Sequence, residues 1–217
     1  MLLLPLKKDI YIYGLLGRNG AGKTTLFNCI NEDLKVDGGS FEVEENGKRR
    51  SVRSEDIGYT LSTPMVPEFL TGREFLKFFI DINKTRIKNI RTIDEYFNLV
   101  SIEEEDRDRI IKDYSHGMKN KIQMLINIIV NPNIFLFDEP LTSFDVIVAE
   151  EMKKLLLHMK DDHITIFSTH ILELALDLCD VIVILSGGVL EKIEKESLDD
   201  FSFKEKIIAT LRRGENA

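Results

Sequence analysis

Apolar residues change their spacing along the chain, and each change marks a different element. Ile10 to Leu16 (IYIYGLL) is a nearly continuous apolar run of the kind that a strand buried on both faces presents. The glycine-rich GRNGAGKTT follows, then TLFNCI, whose composition suits the first turns of a helix. Phe41 and Val43 next alternate with glutamates, Asn46-Gly47 is a hairpin-turn signal, and Ser51 to Thr60 offers the returning and following strands, so a small antiparallel β element is expected. From Phe69 to about Val130 the period becomes three and four: FLKFFIDI, TIDEYFNLV and NKIQMLINIIV place charges between apolar positions and predict helices. After Asn131-Pro132 come IFLF, ending at Asp138, and ITIFST, ending at His170, with a helical segment from about Ile147 to Met159 between them. A third run, VIVIL at 181 to 185, ends in Ser-Gly-Gly, and the tail from Leu198 predicts a peripheral helix.

Strands that alternate with helices imply an α/β fold with a mainly parallel, doubly wound sheet and its ligand at the strand C-termini. The long helical stretch interrupts that alternation. The chain therefore predicts one domain over 1–217, with a core of about 1–63 and 131–217 and a helical subdomain of about 64–130. No internal repeat of about 20 to 50 residues suggests another architecture.

Composition acts here by exclusion. There are 37 acidic and 29 basic side chains, a net charge of -8, which weighs against nucleic acid as a partner because phosphate neutralisation needs a basic face. No apolar run reaches the roughly 18 residues that would predict a membrane span. The opening MLLLPLKK has its lysines after its apolar residues and does not read as a signal. Cys29 and Cys179 stand far apart with no second cysteine near either, which predicts reduced thiols in a cytosolic protein.

The chemistry begins at Gly17-Arg18-Asn19-Gly20-Ala21-Gly22-Lys23-Thr24, which fits G-x-x-x-x-G-K-[ST] between a strand and a helix, the context that a P-loop requires. Glycines let successive N–H groups turn inward on a polyphosphate, the helix start adds its positive dipole end, and Lys23 reaches the terminal phosphates. Thr24, followed by Thr25, offers a hydroxyl to magnesium. Magnesium on a triphosphate takes oxygen ligands, and Asp138 at the end of IFLF supplies one. Glu139, one residue further on, stands where a base for water activation would sit.

With these residues in view, the chain resembles the nucleotide-binding subunit of an ATP-binding cassette (ABC) transporter over essentially all of its length. Tyr114-Ser115-His116-Gly117-Met118 resembles the family signature LSGGQ in the YSxGM form of exporter-type subunits. Read without the family, Ser115 is a helix N-cap, and the hydroxyl and N–H groups there form a second anion site. The resemblance implies that two subunits pair head to tail, with each ATP held between the P-loop of one and Ser115, His116 and Gly117 of the other. His116 and Met118 depart from the signature. Leu141 to Asp145 resembles the D-loop, and Ser168-Thr169-His170 the switch histidine, so His170 is implied to contact the γ-phosphate and orient water. His158 and His163 are expected to be solvated.

Two departures bear on activity. Ser62 stands where the family's Q-loop has glutamine, and a hydroxyl reaches less far than an amide. The stretch ahead of Lys23 is also shorter than in the family, whose members carry an aromatic there that stacks on adenine. Tyr11 and Tyr13 read as strand residues rather than as that aromatic. A short start implies weakened base binding and an exposed sheet edge, or a start further upstream. The resemblance thus implies an ATPase that uses ATP and Mg2+, works as a dimer on an integral membrane permease, in the direction of export, and sits at the inner face of the membrane through it. A nucleotide-dependent switch with weak hydrolysis is the alternative that Ser62 suggests, and a soluble cassette acting on ribosomes or DNA lacks the usual second cassette or coiled coil. Phe69, Phe75, Phe78 and Phe79 are candidates for permease contact, core packing being the plainer reading.

Overall fold

A computed structural model describes residues 12–45, 48–87, 89–140, 150, 153–154, 163–193 and 200–213. The expected turn at Asn46-Gly47, the D-loop segment, His158, Tyr11 and most of the helical segment from Ile147 to Met159 lie outside them, although Glu150, Lys153 and Lys154 are helical.

Strand β1 (Ile12–Leu16), buried at every position, lies inside a six-stranded sheet. With β4 (Ile57–Thr60), β5 (Ile134–Asp138), β6 (Ile164–Thr169), β7 (Val181–Ser186) and β8 (Val189–Ile193), the order is β4-β5-β6-β1-β7-β8. All neighbours pair in parallel except β7 with β8. The Ser-Gly-Gly exit is therefore a hairpin turn: Gly187 and Gly188 both have positive φ, 57° and 74°, as a tight turn that follows strand twist requires. A second sheet pairs β2 (Glu42–Glu45) with β3 (Lys48–Ser51) in antiparallel register. The returning strand is thus KRRS, upstream of the expected Ser51 to Thr60, and its polarity hides it from a search for apolar alternation.

Helix α1 (Lys23–Ile30) follows β1 and packs Phe27 into the apolar layer on one face of the sheet. Between β4 and β5 stand α2 (Gly72–Asn83), α3 (Ile93–Leu99), the single turn α4 (Glu104–Arg107) and α5 (His116–Val130). Capping boxes start two of them: Thr71 accepts from the Glu74 N–H while Glu74 returns to the Thr71 N–H, and Thr92 and Glu95 repeat the exchange. These helices build their own core from residues such as Leu76, Phe97, Ile122 and Leu125. Phe75 and Phe79 belong to it, whereas Phe69 is 81% and Phe78 55% exposed. One direct tie to the sheet runs from Asn127 Nδ2 of α5 to Thr60 Oγ1 at the end of β4, 2.9 Å away.

The other sheet face is covered by α6 (Leu172–Leu178) and α7 (Asp200–Arg213). The tail helix is less peripheral than expected: Phe203 and Ile207 are fully buried against Leu16, Ile182, Ile184 and Ile193. Packing on this side is close enough that a Cβ at Gly14 would lie 2.7 Å from Cys179 Sγ. His163 also differs from expectation. Its ring is half-buried, edge-on to Phe135 at 5.0 Å, with Nδ1 2.7 Å from the Pro132 carbonyl oxygen, because it enters β6 beside β5 rather than lying in a solvated turn. No helix among the described residues is long and apolar enough to cross a membrane.

Candidate functional site

The loop after β1 is shaped by its glycines. Gly17 donates its N–H to the Thr169 carbonyl at 3.2 Å, and a Cβ there would stand 2.9 Å from the Leu185 carbonyl oxygen. Gly20 and Gly22 take left-handed φ values of 82° and 100°, where a side chain is strained. Gly22 caps α1 without a side-chain hydrogen bond, so the first N–H groups of the helix meet an approaching anion directly.

Lys23 is only 5% exposed, because its side chain curls back over the loop it follows. Nζ donates to the Gly17 carbonyl at 2.8 Å and to the Arg18 carbonyl at 3.1 Å, and it lies 3.1 Å from Glu139 Oε1. Glu139 adopts a left-handed φ of 49° as β5 ends, which turns its side chain back toward this lysine. Its second oxygen, Oε2, is 2.7 Å from His170 Nδ1. On the adjacent strand end Thr24 Oγ1 donates to Asp138 Oδ2 at 2.6 Å. Lys23 at the start of α1, Asp138 and Glu139 at the end of β5 and His170 after β6 are thus brought near one another.

A cleft of about 350 Å3 opens above them, lined by Asn19, Gly20, Gly22, Lys23, Thr24, Thr25, Ser62, Asp138 and Glu139. Gly17, Arg18 and Ala21 belong to the same loop without lining the cleft: the Arg18 carbonyl, one of the two that Lys23 engages, also accepts from the Ala21 N–H at 3.1 Å. Its oxygen donors fit magnesium. Thr24 supplies a hydroxyl and Asp138 a carboxylate, and this ion keeps several waters and takes phosphate oxygens as well. A cage made of protein alone is not required, and among the described residues no group of three His, Cys, Asp or Glu forms one.

Ser115, His116 and Gly117 are not brought to this cleft. They form the start of α5, with Ser115 and His116 exposed and Gly117 half-buried, where Ser115 Oγ accepts from the Met118 N–H at 3.1 Å. Tyr13 is buried in the sheet layer with Phe27, so it offers no stacking face to a base. Tyr59, whose hydroxyl donates to Asn28 Oδ1 at 3.0 Å, stands behind the site, and burial, with Asp138 and Asp33 adding to it, pushes its phenol well above the usual range.

One residue of the site carries no signal of its own in the sequence. Ser168 is fully buried next to Asp138, and its Oγ donates to Asp138 Oδ1 at 2.6 Å. Only the register of β5 against β6, which pairs Asp138 with Ser168, discloses it.

The family model described as ABC transporter matches residues 8–142. An uncharacterized ABC transporter ATP-binding protein of Methanocaldococcus jannaschii is 31% identical over 205 residues, 94% of this chain and 73% of that protein. The bacitracin transport ATP-binding protein of Bacillus licheniformis is 33% identical over 192 residues, which are 86% of this chain and 62% of that protein. Among solved structures, a dimeric ATP-binding cassette in a post-hydrolysis state bound to ADP and Pi aligns with a TM-score of 0.72 over 90% of this chain and 89% of that one. At 20% identity this last likeness speaks for the fold, an α/β P-loop cassette.

Proposed function

Because the chain belongs to the ABC transporter family as an ATP-binding subunit, we propose that it hydrolyses ATP with Mg2+ and drives a separate integral membrane permease. The observation that carries this reading is the convergence of Lys23, Thr24, Asp138 and Glu139 at one cleft beside the open start of α1, with His170 bonded to Glu139.

The chain's residues divide the work. The loop N–H groups and Lys23 take the phosphates, and the terminal phosphate competes with Glu139 for the Lys23 ammonium. Thr24 and Asp138 would hold magnesium, which when bound would supply charge neutralisation on the phosphate oxygens. Glu139 accepts the proton of the attacking water, and His170, bonded to Glu139 Oε2, fixes the direction of that carboxylate and faces the γ-phosphate. Only positioning and electrostatics are asked of the protein, as phosphoryl transfer generally requires.

The exposed start of α5 supports a head-to-tail dimer, in which Ser115, His116 and Gly117 close the far side of the nucleotide held by a second subunit. Met65, Phe69, Phe78 and Ile82, each more than half exposed, give the helical subdomain an apolar face for the permease. Such a subunit would be cytoplasmic, held at the inner face of the membrane by its permease. Export is the direction favoured by the YSHGM signature.

A second reading rests on Ser62, which lines the cleft where the family has glutamine. A nucleotide-dependent switch with weak hydrolysis would follow if the shorter side chain fails to complete the magnesium and water shell. ATP turnover of the purified protein added to membranes containing the permease separates the two. Turnover that disappears in Glu139→Gln supports the ATPase. Nucleotide binding without turnover in the parent protein supports the switch.

A further inference from the structure

Ser168 is inaccessible to solvent, yet both hydrogen-bonding capacities of its hydroxyl are used inside the site. Oγ donates to Asp138 Oδ1 at 2.6 Å and accepts from the Glu139 N–H at 3.0 Å. Both contacts follow from the parallel register, which sets Asp138 beside Ser168 at the strand ends and points the two side chains to the same side of the sheet. Asp138 is thereby gripped at both oxygens. Thr24 engages Oδ2 from the side of the cleft, and Ser168 engages Oδ1 from within the sheet.

The second contact acts on the next residue. Glu139 is one of four non-glycine residues with positive φ among the described residues, and its left-handed turn is what directs its carboxylate to Lys23 and His170. A residue persists in that conformation where its surroundings hold it, and the main-chain N–H of this turn is bonded to Ser168 Oγ. The neighbours of Ser168 add to the same junction: the Thr169 carbonyl accepts from Gly17 N–H at the start of the phosphate loop.

The geometry points to Ser168 as a positioning residue of the ATPase reaction, a single buried hydroxyl that fixes the rotation of the magnesium-facing carboxylate of Asp138 and the direction of the Glu139 base. This rests on the reading of the cleft given above. Groups that orient a metal-facing carboxylate are commonly worth about 10- to 100-fold in metal affinity or activity. Neither the loop N–H groups nor Lys23 bonds this hydroxyl, so phosphate binding without metal depends on it only indirectly, through Glu139, and changes less than magnesium dependence does.

The test compares Ser168→Ala with the parent protein by calorimetric titration of ATP in EDTA and at stepped magnesium concentrations, together with turnover. The expected result is a rise of about tenfold in the magnesium concentration needed for half of the metal-dependent gain in ATP affinity, a fall in kcat of about tenfold or more, and an affinity in EDTA within about twofold of the parent. Ser168→Cys, of similar size but with weaker bonds, moves in the same direction and carries the test should the alanine variant fail to fold by circular dichroism. A folded variant with unchanged magnesium requirement and kcat overturns the proposal, as does an equal loss of ATP affinity with and without magnesium. A parent protein whose nucleotide binding ignores magnesium removes the ATPase reading itself, a result distinct from either of these.

Discussion

Replacing Glu139 by Gln tests both what the cleft does and how it is held together. The change keeps the size of the side chain and removes its charge. Two contacts are altered: the ion pair between Oε1 and Lys23 Nζ at 3.1 Å and the hydrogen bond that Oε2 accepts from His170 Nδ1 at 2.7 Å. Loss of the proton acceptor should lower turnover by about 10²- to 10⁴-fold, the range that general-base catalysis contributes. A neutral amide also frees Lys23. At 3.1 Å and an effective dielectric near 20 the gross attraction between the two charges is about 5 kcal/mol. Most of it is offset, because Lys23 keeps the Gly17 and Arg18 carbonyls and because the amide oxygen can still accept from Nζ. A net release on the order of 1 kcal/mol is a reasonable remainder, equivalent to about fivefold tighter binding of nucleotide.

The assay therefore has two arms, turnover in the presence of permease membranes and ADP affinity of the purified subunit. Binding should strengthen while hydrolysis is abolished, and the same substitution should allow an ATP-bound dimer to accumulate on size-exclusion chromatography. Unchanged turnover would refute the role given to Glu139. Weaker ADP binding would refute the competition between phosphate and Glu139 for Lys23, since it would mean that the carboxylate helps to hold the lysine in its binding position.

Other consequences are equally open to measurement. Phe69→Ser and Phe78→Ser should change the stability of the isolated subunit by no more than about 0.5 kcal/mol in urea, because both side chains are largely exposed, yet should weaken stimulation of its ATPase by permease membranes. Gly14→Ala should cost about 1–3 kcal/mol, since its Cβ would stand 2.7 Å from Cys179 Sγ, and most of that loss should return in the Gly14→Ala/Cys179→Ala double variant. Burial, with Asp180 adding to it, pushes the Cys179 thiol up to about 12, so at pH 8 iodoacetamide should modify it in denaturant and leave it intact in the folded protein. The Arg50 guanidinium beside Asp56, helped by the Arg53 N–H and opposed by burial, holds that carboxyl below its ordinary 3.8. A depressed folded-state value means that the stabilisation is complete above pH 3.8 and is lost as pH falls through the lower folded value. Asp56→Asn should accordingly cost about 1 kcal/mol at pH 7, a modest figure because Arg50 is partly solvated, and the gap from the parent should close progressively at pH below 3.8.

The elements visible in the sequence are those whose burial leaves a periodic trace. β1, β5, β6 and β7 are apolar because helices cover both faces of the sheet, and α2, α3 and α5 show their spacing because one side of each faces a shared core. β3 and β8 leave no such trace. Lys48 to Ser51 is wholly polar in a two-stranded ribbon, and Val189 to Ile193 pairs on one side only at the sheet edge, with Glu191 and Lys192 among its residues. The tail helix hides its role for a related reason: Phe203 and Ile207 are few among many charges, yet both are buried against the sheet. His163 was equally illegible, because a ring against Pro132 and Phe135 depends on contacts between segments that are distant along the chain.

The site divides along the same line. Lys23, Thr24, Asp138, Glu139 and His170 could be recognised because each sits at a fixed distance from a glycine loop or a strand end, and strand ends of a parallel sheet gather at one edge. Their precise relation could not, because it is set by register across strands. β6 sits between β1 and β5, so its end touches both the loop after β1, through the Thr169 carbonyl, and the carboxylates, through Ser168 and His170. A slip of one residue between β5 and β6 would turn Ser168 away from Asp138 while leaving every sequence motif intact. The alignment of these two strands is therefore as much a part of the chemistry as the side chains. A variant that disturbs their packing, away from the cleft, should lose magnesium dependence and turnover before it loses the ability to bind phosphate at the loop.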